Sequence, residues 1–497
     1  MLKQRQKLRK KSMTKSATPR SALSAVSALC AALALAGCSM IPVYNRPAAP
    51  VAVDWPVLPV NNSATGELSA LPAADLEWQD FFSDPKLKQL ITAALNNNRD
   101  LRVAVLNIES ARAQFQIRRA DQFPSVGASV SGLRQPNING NGSITSSYTA
   151  GLAVTAYELD FFGRVASLKE AALAQFLATQ EGRKTIQISL IASVANTYLA
   201  LLADEELLAI TQQTLATRQD SLKLSQLRFD NGVSSELDLR LAESLTEVAR
   251  VSLAQQLRQR AVDQNALTLL LGQSLTPELM PSLAAGSGLA TMPLLQDVPS
   301  GLPSDLLARR PDVRQAEQLL LASNANIGAA RAAFFPRISL TTSAGSASSH
   351  LGDLFQSGSY GWTLAPQLIL PIFDAGRNQA GLDGARVQRD TAVAQYEKAI
   401  QVAFREVADA LAGRATLGEQ SRAQQAQANA EAIRFRLADL RYQNGVSNQL
   451  ELLDAQRSLF TARQAAVLAK LAQLQGQVTL YKTLGGGWKE AALNTTP

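Results

Sequence analysis

The apolar positions of this chain follow two periods. Val194, Leu201, Leu208, Leu215, Leu222 and Phe229 recur every seventh residue, the seam of a coiled coil. They lie in a stretch that reads as one helix near 164–230, and a stretch of the same extent lies near 377–443. At 1.5 Å per residue each would be roughly 100 Å long, beyond the usual run of globular helices. Each returns through a second long helix, near 235–272 and 448–484. The reversals fall at Asn231-Gly232 and Asn444-Gly445, where glycine supplies the left-handed conformation that closes a helix. Ser235 with Asp238, and Asn448 with Glu451, then have the N-cap and N3 spacing that starts the next one.

Elsewhere the period drops to two, as in a half-buried strand. Val126, Ala128 and Val130 oppose Ser125, Gly127, Ser129 and Ser131. Tyr148, Ala150, Leu152, Val154 and Ala156 oppose Thr149, Gly151, Ala153, Thr155 and Tyr157. Ile338, Leu340, Thr342 and Ala344 oppose Arg337, Ser339, Thr341 and Ser343, and Trp362, Leu364, Leu368 and Leu370 continue the pattern. Strands are therefore predicted at about 124–133, 147–158, 336–346 and 361–371. Runs of about 9–11 residues suit a tilted membrane strand. One apolar and one small or polar face suits a barrel with lipid outside and water inside. A soluble sandwich alternates equally well, so the choice needs a further signal. A helix of about thirty residues is predicted before each strand pair, near 87–120 and 303–334, ended by Phe123-Pro124 and Phe335-Pro336. Proline disfavours helical geometry in the residue before it.

These landmarks occur twice in one order. Asn98-Arg99-Asp100-Leu101-Arg102 returns as Arg310-Pro311-Asp312-Val313-Arg314, 212 residues later, as does the Phe-Pro pair. Phe162-Gly163-Arg164 matches Ala375-Gly376-Arg377, and Leu227 to Ser234 matches Leu440 to Ser447, both at an offset of 213. The chain reads as a tandem duplication. The predicted layout is a leader 1–37, an N-terminal segment 38–74, repeats at 75–275 and 303–487, a connecting segment 276–302 and a tail 488–497.

Composition narrows the reading. Aromatics make up 5% and there is one histidine, His350, which suits long helices packed through small residues and suits metal binding or acid–base catalysis poorly. The formal charge of +7 resides in the leader. Residues 1–37 hold eight basic residues and no acid, so the remainder carries 40 Lys+Arg against 41 Asp+Glu, a charge of −1. Nothing in that balance calls for nucleic acid.

The leader has a basic stretch, an apolar run from about Ala22 to Ala36, and Leu35-Ala36-Gly37-Cys38. The run is shorter than the roughly 20 residues a spanning helix needs, and the layout is that of a cleaved signal. The last four residues resemble a bacterial lipobox, which would make Cys38 an acylated first residue. Met13 is a second candidate start. Cys30 then leaves with the signal, so no free thiol or disulfide remains. The lipoprotein signal favours the membrane reading of the strands.

Four strands cannot close a barrel, and an open edge in lipid leaves backbone polar groups unsatisfied at several kcal/mol each. The chain is expected to oligomerise. Eight-stranded barrels fill with their own side chains, so a trimer with twelve strands is the better conduit. Catalysis has no support: no phosphate-binding loop, metal-ligand cluster or Ser/His/Asp set is present. Gly485-Gly486-Gly487 is followed by Trp488 and reads as a helix end. A coiled-coil scaffold without a channel would have no need of the four alternating strands.

Five stretches carry a resemblance to the outer-membrane factors of the TolC superfamily, and within it to lipoproteins of multidrug efflux pumps. They are Tyr157 to Arg164 (YELDFFGR), Gly301 to Leu307 (GLPSDLL), Asn326 to Arg331 (NIGAAR), Leu453 to Phe460 (LDAQRSLF) and Leu484 to Trp488 (LGGGW). The resemblance covers nearly the whole mature chain. It implies a mainly α protein with a transmembrane β-barrel: a homotrimer whose tandem-duplicated protomers form a 12-strand barrel and a long α-helical coiled-coil barrel. It also implies a periplasmic membrane-fusion adaptor and an inner-membrane, proton-driven RND transporter as partners. No cofactor is implied beyond the covalent lipid on Cys38. A duct for type I protein secretion or heavy-metal cation efflux stays open as the alternative.

The same resemblance implies a periplasmic gate at Tyr442, Leu450, Asp454 and Arg457. Leu450 would narrow the pore and Asp454 would add a ring of negative charge. Tyr442 and Arg457 would hold neighbouring helices together. The first repeat has Phe229, Leu241 and Ser244 where the second has Tyr442, Asp454 and Arg457. The polar lock is therefore expected in the second repeat alone.

Overall fold

The computed structural model describes residues 39–56, 72–136, 144–275 and 309–489, with Leu289, Met292 and Leu295 between the last two blocks. Cys38, the signal segment 1–37 and residues 490–497 lie outside the described residues, as do most of 276–302 and all of 303–308. The chain divides into two compact units. One comprises Met1–Tyr44, Gln116–Ala171 and Ser323–Val387; the other comprises Asn45–Phe115, Ala172–Ala322 and Gln388–Pro497.

The first unit holds an antiparallel sheet of β1 (Val126–Pro136), β2 (Ile144–Leu159), β3 (Arg337–Ser348) and β4 (Tyr360–Ile369), paired in that order. Its register aligns the alternating side chains into one apolar face. Val126 pairs Val154, Leu152 pairs Ala344, Ala344 pairs Trp362, and Ile338 pairs Leu368. Among the described residues nothing covers that face: Val130 is 81% exposed and Trp362 71%. Ile338 to Ser346 spans about 27 Å along the strand, comparable to the apolar band of an outer-membrane barrel. Tyr148, Tyr360 and Trp362 fall toward one end of the band and Tyr157 toward the other. The opposite face carries hydroxyl pairs across the strands, Ser131 with Thr149 and Ser343 with Thr363, each at 2.7 Å.

The simple alternation fails at one place. Register slips between Val154 and Tyr157, where Ala156 adopts φ 51° and its N–H donates to the Thr341 hydroxyl at 3.2 Å. Two residues oppose one, which is a β-bulge. The extra residue moves Tyr157 onto the apolar face with Val154, not onto the polar set that strict alternation assigned.

Beyond the bulge the strand passes to a helix through a charged joint. Arg164, the first residue of α3 (Arg164–Asp230), donates twice to Glu158 at 2.7 Å, and Arg337 of β3 binds the same carboxylate at 2.7 Å. Asp160 accepts from the Ala166 N–H at 2.7 Å and so satisfies a free donor of the helix start. The backbone after Cys38 lies along the helix Pro311–Ala332, where Asn324 donates to the Pro42 carbonyl at 2.8 Å and Arg331 to that of Met40 at 3.4 Å.

The element order runs twice. It begins with α1 (Pro85–Asn97) and α2 (Arg99–Ala120), then β1, β2, α3 and α4 (Glu236–Leu271). It repeats as α5 (Pro311–Ala332), β3, β4, α6 (Arg377–Gln443) and α7 (Gln449–Thr483). Both α3 and α6 have 67 residues. The single helix expected near 87–120 is instead two, broken at Asn98. This buried residue takes an extended conformation, φ −61° and ψ 133°, and its side chain accepts from the Leu101 N–H at 2.9 Å to start α2. In the second series Arg310 stands at the break, held out of helical geometry by Pro311.

Both breaks are tied to the end of the returning helix. Asn98 donates to the Leu270 carbonyl at 3.0 Å, and Arg310 donates to the Thr483 carbonyl at 2.9 Å. The cap residue beside the first tie is Gly272, at φ 66°. A Cβ there would stand 2.3 Å from the Asn97 carbonyl oxygen, whereas at Gly485 it would stand 3.2 Å from that of Arg309. Left-handed backbone costs a non-glycine residue about 1–2 kcal/mol. Gly272→Ala is therefore expected to cost about 2 kcal/mol or more, and more than Gly485→Ala, by thermal unfolding of the helical signal.

The part of α3 apolar enough to pass for a membrane span is 67% buried inside the chain. Its heptad seam explains the burial: Val194, Leu201 and Leu208 are buried, Leu215 and Leu222 are half-buried, and Phe229 is exposed. Along α4, Leu239, Ala242, Thr246 and Ala249 are buried, the spacing of one helix face. In contrast α7 is buried on several sides, at Leu452, Leu453, Ala455, Gln456, Leu459 and Phe460. It packs on α6 through Ala428, Ala462 and Ala466, and reaches α3 through Arg463 to Gln213 and Gln475 to the Asn196 carbonyl, both 3.2 Å. Small side chains let the helix axes approach, which is why an alanine-rich chain can form such hairpins.

Candidate functional site

The two helix–turn–helix tips are built alike. Val233 N–H donates to the Arg228 carbonyl at 2.8 Å and Gly232 N–H to that of Phe229 at 2.9 Å; Val446 to Arg441 and Gly445 to Tyr442 repeat this at 2.9 and 3.0 Å. These paired bonds form the Schellman closure, with Gly232 at φ 67° and Gly445 at φ 72°. Ser235 and Asp238 form a reciprocal capping box, and Asn448 accepts from the Glu451 N–H at 3.0 Å. The tips therefore keep their shape by local bonds, leaving the side chains around them free for other work.

Each residue expected in the gate lies near the second tip. The Tyr442 hydroxyl accepts from Arg228 of α3, whose guanidinium also stands 5.0 Å above the Tyr442 ring. Leu450 is 59% exposed in the first turn of α7. Asp454 accepts from Arg434 of α6 at 2.5 Å through one oxygen and from Arg457 through the other. Arg434 also binds Glu431 at 3.2 Å and the Ser458 hydroxyl at 3.3 Å.

Among the described residues Arg457 meets Asp454, three residues away on α7, and Arg434 makes the bridge between α6 and α7. The polar contacts are not confined to the second repeat. Arg228 to Tyr442, Gln449 to the buried Ser225 hydroxyl, and Gln456 to the Ser221 hydroxyl at 3.4 Å all run between the two hairpins. Within one chain the charge of Asp454 is met by two guanidiniums. The hydrogen bond from Arg434 comes first in holding its carboxyl below the ordinary range, and the charge of Arg457 adds to it.

Arg228, Arg434, Gln449 and Ser225 had no place in the sequence expectation. A signal for Arg434 existed: it stands ten residues before Asn444, and Asp454 stands ten after it, so an antiparallel hairpin brings them level. The contacts with α3 had no such signal, since more than 210 residues separate the partners.

The outer membrane efflux protein family matches twice, over residues 90–273 and 302–486. The probable efflux pump outer membrane protein TtgC of Pseudomonas putida is 49% identical over 464 residues, covering 92% of this chain and 94% of that one. Outer membrane protein OprJ of Pseudomonas aeruginosa is 45% identical over 94% of this chain and 96% of its own length. The crystal structure of the open state of the Neisseria gonorrhoeae MtrE outer membrane channel superposes with a TM-score of 0.82 at 41% identity, over 91% of this chain and 99% of that one. The doubled helix–strand series, the uncovered apolar sheet face and these matches agree: the chain belongs to the outer membrane efflux protein family, transport proteins of the outer membrane and not enzymes.

Proposed function

We propose that this chain is the exit duct of a tripartite multidrug efflux system, conducting drugs or solvents passively out of the cell. The observation that carries the reading is the four-stranded sheet with one bare apolar face and edge strands β1 and β4. Lipid tolerates such a sheet only when its edges find partners. Three copies would supply twelve strands and six helical hairpins around one pore. The doubled element order supports a tandem duplication, which would give each protomer two similar hairpins.

A passive duct needs a source of energy elsewhere, so the partners proposed are a periplasmic membrane-fusion adaptor and an inner-membrane RND transporter. The relative TtgC is named as a probable efflux pump outer membrane protein, which supports that assignment. Acylation of Cys38 would add a lipid anchor, with stable attachment requiring more than one chain. Tyr442, Leu450, Asp454 and Arg457 would close the periplasmic end, now with Arg228 and Arg434 as their partners.

The test is complementation. In a bacterium lacking its own duct but retaining adaptor and pump, expression of this chain is expected to restore tolerance to toluene or antibiotics by at least severalfold. Heat-resistant trimers on a gel should accompany it. Unchanged tolerance despite outer-membrane insertion would overturn the reading.

A further inference from the structure

Between the hairpins, away from the tips, a cavity of about 130 Å³ is lined by Arg218 of α3 and by Gln456, Phe460 and Arg463 of α7, with Gln213 and Thr217. Arg218 is 2% exposed. One of its nitrogens donates to the Leu245 carbonyl at 2.7 Å and its plane faces the Phe460 ring at 5.2 Å, but its Nε has no partner among the described residues. A buried cation is costly unless an opposite charge answers it. The acids on the neighbouring helices are engaged elsewhere: Asp220 with Lys223, Glu247 with Arg250, and both Glu431 and Asp454 with Arg434. Burial accordingly lowers the Arg218 pKa with no carboxylate to offset it.

A second atom points to the ligand's chemistry. The Gln456 side-chain oxygen is buried in the same cavity with no donor among the described residues. The cavity thus offers a buried cation with a free N–H, a second arginine and a carbonyl oxygen that needs a donor. A ligand answering all three must be an anion that still carries a proton. We infer that the cavity binds a protonated oxyanion of the hydrogen phosphate type, held by Arg218 and Arg463 and donating its hydroxyl to Gln456. Arginine pairs well with such oxygens, and the volume equals the liquid share of about four waters, enough for a tetrahedral ion. Bound there, the ion would join α3 of the first hairpin to α7 of the second. Sulfate has the same shape but no proton at neutral pH, so it satisfies the arginines and leaves Gln456 unanswered.

Equilibrium dialysis of full-length protein in detergent against radiolabelled inorganic phosphate, at fixed ionic strength, tests this directly. One saturable site per chain is expected, with phosphate preferred over sulfate about tenfold, as one buried hydrogen bond dictates. Arg218→Met should abolish binding. Arg463→Gln, at a partly exposed position, should weaken it severalfold and decides the matter if Arg218→Met does not fold. Gln456→Leu should remove the preference for phosphate over sulfate. Absence of saturable binding to the unmodified protein, or unchanged affinity in Arg463→Gln, overturns the inference.

Discussion

Protein carrying Asp454→Ala is expected to pass on the order of a hundredfold more current in planar lipid bilayers than the unmodified protein. An exposed ion pair shifts an equilibrium by a factor of about two to five. Asp454 makes two, to Arg434 and Arg457, and its removal also leaves those two guanidiniums facing each other. Repeated in each protomer of the proposed trimer, small factors compound. Arg434→Ala is expected to act almost as strongly, because it severs the bridge between α6 and α7. Arg457→Ala should act less, because its bond lies within α7. Protonation gives an independent check of the same bond. The Asp454 carboxyl is depressed in the folded chain, so its contribution is complete above the ordinary carboxylate value of about 3.9. It is lost only as pH falls through the lower, folded value. Current through the unmodified protein should therefore stay flat from about pH 8 to about pH 5 as far as Asp454 decides it. Equal currents from Asp454→Ala and unmodified protein, or a larger effect from Arg457→Ala than from Arg434→Ala, would sink the assignment.

Arg310→Met is expected to cost about 3 kcal/mol, the largest loss of stability from any one side chain considered. Arg310 is 7% exposed and binds Asp312 at 2.6 Å, Glu406 at 2.8 Å and the buried Thr483 carbonyl at 2.9 Å. Methionine fills much of the volume but leaves two carboxylates and a carbonyl unanswered, and breaking a buried charge network costs more than forming it gains. Both carboxylates keep some solvent, which places the estimate at the low end of the range for such sites. Arg310→Lys should recover under half of the loss, since one ammonium cannot serve three acceptors in a fixed fork. Thermal unfolding in detergent, followed by the helical signal, measures both. A variant within about 0.5 kcal/mol of the parent, the scatter of neutral surface changes, would refute the account.

Much of this was legible because it is local. Heptad spacing, the Asn-Gly reversals and the caps at Ser235 and Asn448 each depend on residues within about two turns of one another, so sequence spacing states the geometry. Strand alternation is equally local, and it failed at Ala156, where an inserted residue is chosen by the partner strand. The helix near 87–120 failed for a related reason. Asn98 is tolerable in a helix by propensity, but its side chain serves the Leu101 N–H and the Leu270 carbonyl, and the second partner is known only once α4 returns. The candidate gate shows the same division. Resemblance proposed Tyr442, Leu450, Asp454 and Arg457 for the gate, whereas their contacts with Arg228 and Arg434 emerged from helix packing.

The sequence by itself determined the periods of its elements, their doubled order and the family the chain joins, because each is written in side chains close together or in recurring spacings. The tertiary structure alone decided which face of the sheet Tyr157 joins and that Tyr442 turns toward the first hairpin. It also decided that Arg310 is buried among acids and that Arg218 is buried without one. The reason is physical. Burial removes water as a partner, so a polar group's fate depends on what the fold brings beside it. That neighbour, as with Arg228 and Tyr442, can lie more than two hundred residues away along the chain.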